Sequence, residues 1–141
     1  VIRFRKDNTN NVVVTVTENS TVTNPIYLFL FQNQTTFDKY YFIATDISQF
    51  KQRYNKFIVT EKANPNTLNG EVRLGFKGFY NYFIYQTNLT NTSNLANAAA
   101  AVPNITKTVE VGVVQVVISE YEVEEYEVQN TTNIVYQPDE L

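Results

Sequence analysis

Cysteine, methionine, histidine and tryptophan are all missing from the 141-residue chain. Without Cys and His there are no thiolate or imidazole metal ligands, no Cys nucleophile and no His acid or base. Any chemistry falls to carboxylates, Lys, Tyr or Ser/Thr. The lack of cysteine leaves the compartment open, because such a chain is equally viable in reducing and oxidising surroundings. A second absence is local: no basic residue occurs from Thr108 onward. Residues 1–107 hold all 11 Lys and Arg against 6 acids, a net of +5, and residues 108–141 hold the other 8 acids, which brings the whole chain to −3. Block segregation of this kind points to an interaction tail, with a solvated acidic end as the plainer alternative. No apolar run approaches the roughly 20 residues of a membrane helix. No signal peptide is legible, and Val1 fits a chain whose initiator Met has been removed.

What is present is organised around Pro25-Ile-Tyr-Leu-Phe-Leu-Phe31. Successive side chains of a strand point to opposite faces, so Leu28 and Phe29 fall on different sides of a sheet covered on both. This run predicts a central strand. Lys39–Ala44 returns as a second aromatic strand across a turn at 33–36, which predicts a hairpin. Upstream, Val12, Val14 and Val16 alternate with Val13, Thr15 and Thr17 as a half-buried strand after a polar turn at 7–11. Arg3, Arg5 and Lys6 then sit on an edge or arm. In 45–54 the period changes: Asp46 can cap, and Phe50 and Tyr54 share one face of one or two helical turns. Residues 57–60 resume strand character, 64–70 form a loop, and 71–74 alternate again. Ala98–Ala101 suit a helical turn that buries little. Val109–Ile118 is the last strand, with Gly112 as a bulge. The length suits one domain with a core that needs no disulfide or metal.

The carboxylate-dense segment 120–128 suggests a glycosidase pair or a calcium site. A glycosidase needs two carboxyls facing each other across a preformed cleft, whereas crowded glutamates repel one another and stay solvated. The calcium-loop spacing is absent. Gly75 and Gly78 bracket a tight turn without the helix start and Lys-Ser/Thr of a phosphate loop. The rings recur at strand period in apolar runs, which indicates core packing and not a nucleic-acid platform. Sequons at Asn19, Asn33, Asn88, Asn91, Asn104 and Asn130 matter only in a glycosylating compartment. The expectation is no enzyme, no cofactor, no metal, no nucleic acid and no membrane.

Two likenesses add to this. Leu74-Gly-Phe-Lys-Gly-Phe-Tyr-Asn-Tyr-Phe-Ile-Tyr85 is similar to the corner of immunoglobulin-like sandwiches, where a glycine turn precedes a strand that opens with a Tyr bonded back to the corner; Tyr80 is the matching position. The runs Tyr27–Phe31, Phe42-Ile-Ala-Thr-Asp-Ile-Ser48, Arg53-Tyr-Asn-Lys-Phe57, Gly78–Tyr85 and Val109-Glu-Val-Gly112 resemble small structural proteins of tailed-bacteriophage virions. That resemblance implies a virion component in a decoration, fibre-base, neck or tail role, partnered by its own copies and other virion proteins, with no catalytic residue to carry over. The predicted fold is an all-β, immunoglobulin-like antiparallel β-sandwich over residues 1–118, with an extended acidic C-terminal tail over 119–141. The alternative function is an adhesin module that binds a glycan. The candidate interaction residues are Arg3, Arg5, Lys6, Lys51, Arg53 and Lys56 on the body and Tyr121, Glu122, Glu124, Glu125, Tyr126 and Glu127 on the tail, and the structural ones are Leu28, Phe29 and Tyr80. The tail is expected to add as a strand to a neighbouring subunit.

Overall fold

β-branched and aromatic residues recur with a period of two along most of the chain, and the backbone answers with strands. A computed structural model describes residues 2–22 and 24–118. Within them lie β1 (Ile2–Arg5), β2 (Thr9–Val14), β3 (Tyr27–Asn33), β4 (Lys39–Ala44), β5 (Asn55–Glu61), β6 (Glu71–Val72), β7 (Gly78–Thr87) and β8 (Ile105–Val117). Short 3₁₀ segments at Thr17–Asn19, Thr67–Asn69 and Ala98–Asn104 punctuate the connections. The strands form a five-stranded sheet in the order β1-β8-β7-β3-β4 and a three-stranded sheet in the order β2-β5-β6. No helix among the described residues is long and apolar enough to cross a membrane.

The two sheets pack face to face. Phe4, Phe29, Phe31, Phe42, Tyr80 and Val114 from the larger sheet meet Val12, Val14, Phe57 and Val59 from the smaller. Rings interlock across the gap: Phe29 meets Phe57 edge-on at 4.8 Å between centroids. Such edge-to-face contacts add to the burial of large apolar area. A second, smaller cluster lies on the outer side of the larger sheet, where Leu28 and Ile43 are covered by Ala98 and Ala101. Leu28 and Phe29 are therefore both buried, on opposite sides of one sheet.

Several sequence expectations change. The sandwich is not wholly antiparallel: β1 pairs with β8 and β5 with β6 in parallel. β3 is an interior strand, but β7 occupies the middle of the five. Residues 45–54 form no helix; Asp46 bridges to Phe57, and Ile47 N–H donates to the Lys56 carbonyl at 2.8 Å, so sheet pairing claims that backbone. One turn survives at Phe50–Tyr54, and it leaves Phe50 56% exposed. Thr9–Asn11 belong to β2 and not to a turn, because the Asn10 amide bonds both the N–H and the C=O of Arg5 and pulls the chain straight into the strand. The alanine run buries Ala98 and Ala101 completely, since small side chains let its backbone lie close on Leu28. Gly112 is no bulge; a Cβ there would stand 2.5 Å from the Tyr82 ring, so glycine makes room for that ring. The register slips instead at Val109 and Thr106.

The register also defines the two ends of the sandwich. Arg5 beside Val117, Gly78 beside Val116 and Asn33 beside Tyr80 mark one end. Tyr27 beside Ala44 and Gln86 marks the other.

Candidate functional site

The six basic candidates of the body are not brought together. Arg3 is exposed on β1 and lies opposite Gln115. Arg5 is half-buried at the end of that strand. Lys6 is committed to the interior: its Nζ contacts Glu61 Oε2 at 3.2 Å and donates to the Leu74 carbonyl. It is a structural cation, which removes it from any docking surface. Lys51 and Arg53 are exposed in the β4–β5 connection at the far end, and Lys56 is half-buried on β5 opposite Val13. The tail candidates Tyr121, Glu122, Glu124, Glu125, Tyr126 and Glu127 lie outside the described residues.

Tyr80 is wholly buried, and its hydroxyl donates to the carbonyl of Phe76 at 2.5 Å, four residues back. Burial pushes its pKa above the usual phenol value, partly offset by hydrogen bonds with Asn33 and Phe76. Tyr82, two residues on, is pushed up to about 12 by burial and by the adjoining Glu110 carboxylate, to which it donates at 3.0 Å.

Charge at the first end is gathered by Glu61, 1% exposed in the core. Its carboxylate accepts from Asp7 N–H at 2.6 Å and Leu74 N–H at 2.8 Å, besides the ammonium of Lys6. Arg73 adds a contact at 3.6 Å and also pairs with Asp7 at 2.8 Å.

The other end is built from amides. Asn55, fully buried, accepts from Val16 N–H at 2.8 Å and Thr17 N–H at 3.2 Å, and donates to the hydroxyl of Thr17 and the carboxylate of Asp46. Gln86 accepts from Thr21 N–H at 2.7 Å and donates to the hydroxyls of Thr21 and Thr106. Burial alone would push the Asp46 carboxyl up, but bonds from Ser48, Asn55 and Lys56 outweigh it and hold it below its ordinary value. Between the β2–β3, β4–β5, β5–β6 and β7–β8 connections, these ties frame an open cleft of about 870 Å³ whose lining includes Val22, Ile26, Thr45, Lys51, Leu68 and Thr92.

Two features escape a reading by motif. The first is the set of buried polar anchors. Asn55 and Glu61 are in phase with Phe57 and Val59, and Gln86 is in phase with Tyr82 and Ile84, so a polar residue ending an inward-facing row was the available signal. The second is the edge at β2. Its sole sheet neighbour among the described residues is β5. Glu61 N–H donates to the Asn8 carbonyl, which sets the parity of that ladder. Thr9, Asn11 and Val13 therefore turn their backbone groups away from β5, toward the open side. Val13 and Ile58 are 55% and 43% exposed on the outer face beside them.

Among the described residues no group of three or more Asp and Glu is placed to hold a metal ion. Set against protein-family models, curated proteins and solved structures, the chain gives no match.

Proposed function

We propose that the protein is a non-enzymatic structural subunit, a component of a tailed-phage virion, that assembles by passing its acidic C-terminal segment to the open β2 edge of another copy. The observation that carries this reading is that edge. An extended strand presents outward backbone groups at Thr9, Asn11 and Val13, with neither Pro nor Lys to blunt it. Natural edges of this kind are usually defended. By contrast, the edge of β1 is blocked at Arg5 by the Asn10 amide.

The donor matches the acceptor. Residues 121–124 and 125–128 each alternate Glu with Tyr or Val, the two runs out of phase across Glu124-Glu125, so a bulge there would be needed to present both alike. Strand addition takes affinity from backbone bonds and specificity from alternate side chains. Lys56 stands opposite Val13 on the outer face, where an incoming glutamate can meet it. The virion setting is carried over from the likeness of the core and turn runs to tailed-phage structural proteins.

We also read the sandwich as immunoglobulin-like. Support comes from a first strand parallel to the last, from the β3–β4 hairpin beside β7 and β8, and from the backward hydroxyl bond of Tyr80 near the start of β7.

The cysteine-free background gives a clean test. Asn11→Cys and Val123→Cys variants, made separately and mixed under mild oxidation, should yield a disulfide-linked heterodimer on a non-reducing gel, and a chain ending at residue 118 should sediment as a monomer. No heterodimer, together with unchanged assembly of the truncated chain, would overturn the proposal.

A further inference from the structure

We infer that the cleft at the amide-anchored end of the sandwich is a saccharide-binding site, distinct from the assembly edge and independent of it. Four connections converge there on a space of about 870 Å³, within the range of small-ligand sites. Accessible apolar surface in its lining comes from Val22, Pro25, Ile26 and Leu68, on which the C–H face of a sugar ring can rest.

Its walls are polar, and part of that polarity is uncommitted. The side chains of Thr45, Gln52 and Thr92 make no hydrogen bond with other described residues. The Lys51 ammonium reaches only Asn24 Oδ1 at 3.5 Å and has no carboxylate within ion-pair distance among the described residues. Asp46, in contrast, is saturated by Ser48, Asn55 and Lys56 and offers nothing to a ligand. An ammonium, the Gln52 amide and two threonine hydroxyls beside apolar lining match a molecule whose hydroxyls both donate and accept.

Other ligand classes fit less well. A phosphate or nucleic-acid strand needs several cations or stacking rings, and the cleft offers one lysine and no exposed ring. An extended peptide needs free backbone groups, and the Ile43 carbonyl beside the cleft is spent on Gly70 N–H. The single cation favours sugars that carry a carboxylate.

The walls are also held still. Thr21 is pinned by Gln86, Ser20 shares a 2.7 Å hydrogen bond with the Tyr27 hydroxyl, and Thr87 N–H and its hydroxyl both donate to the Ile26 carbonyl. Ordering costs on binding are thereby reduced.

The test is a titration of the full isotope-labelled chain, followed by backbone amide shifts, with methyl glycosides of glucose, galactose, N-acetylglucosamine and glucuronic acid, and in a second arm with oligosaccharides of the same sugars. At least one sugar should give saturable shifts confined to Asn24, Thr45, Lys51, Gln52 and Thr92, with glucuronate the tightest of the free sugars. Tighter binding in the second arm would identify a polymer as the natural source. Lys51→Ala and Gln52→Ala should each weaken binding roughly fivefold or more, as the loss of one hydrogen-bonding partner does, while Ile58→Ser on the other sheet leaves it unchanged. Absence of localised shifts with every sugar in both arms would overturn the proposal. So would unchanged affinity in a folded Lys51→Ala, Gln52→Ala double variant.

Discussion

At one end of the sandwich a single buried carboxylate gathers a lysine, two backbone N–H groups and an arginine; at the other, uncharged Asn55 and Gln86 hold the connections in place. Both solutions satisfy backbone donors that a turn leaves unpaired. They differ in what they cost and in what they leave behind. A buried ion pair must offset several kcal/mol of desolvation per ion, and it is costly to break because the surviving partner stays buried. The charged end is closed as a result, with Lys6 drawn under Leu74 and Arg73 laid across Asp7. Amides carry no such penalty. They can anchor a chain at its root while its outer part stands clear, and that is the end where the cleft opens.

The largest expected effect breaks the charged end. Glu61→Ala strands Lys6 and leaves the N–H groups of Asp7 and Leu74 unpaired, so it should cost about 3–5 kcal/mol of unfolding free energy, measurable by urea titration. Amide shifts at Asn24 and Gln52 in the other end should hardly move. Asn55→Ala attacks the amide end and should cost about 1–3 kcal/mol through the unpaired N–H groups of Val16 and Thr17. Here the shifts should concentrate in residues 15–22 and 46–48. If the two variants disturb the same residues, the ends are one cooperative network and the contrast fails.

Two smaller effects sharpen it. Tyr80→Phe removes the hydroxyl that reaches back to Phe76 and should cost about 0.5–1.5 kcal/mol, with no change in saccharide or subunit binding. Tyr82 donates a comparable bond to Glu110, and what sets it apart is its behaviour at alkaline pH. Its folded pKa lies above its unfolded value of 10.0, near 12, so the folded state keeps a proton that the unfolded chain gives up. The stability this contributes is complete below pH 10 and is lost as pH rises toward 12. Tyr82→Phe should flatten that alkaline slope, read from melting temperatures across the window.

The strands were largely legible, and so was the buried character of Leu28 and Phe29, because alternation and ring content leave a period-two record wherever one face is covered. The β3–β4 hairpin begins and ends close to where its residues place it. Expectations failed where a side chain replaces a backbone partner. Asn10 converts a polar run into a strand, and Asp46 with Asn55 helps confine an expected helix to the single turn at Phe50–Tyr54. Neither effect has a local signature, since the partners lie 5 and 9 residues away. The basic candidates of the body were chosen by charge count, which carries no geometry; in space they are dispersed, and Lys6 is mostly withdrawn into its contacts with Glu61 and Leu74. Glu61, Asn55 and Gln86 were visible only as polar residues in step with apolar ones.

The parallel pairing of β1 with β8 has a mechanical side. Ile2 lies beside Val114 and Arg5 beside Val117, so the incoming chain enters at one end of the paired stretch and the outgoing chain leaves at the other. Tension between those two points loads all the rungs of that ladder together, in shear, instead of peeling them one at a time. A subunit that hands its C-terminal segment to a neighbour would carry assembly forces along this line. In such a subunit the two strands under load would meet it in shear.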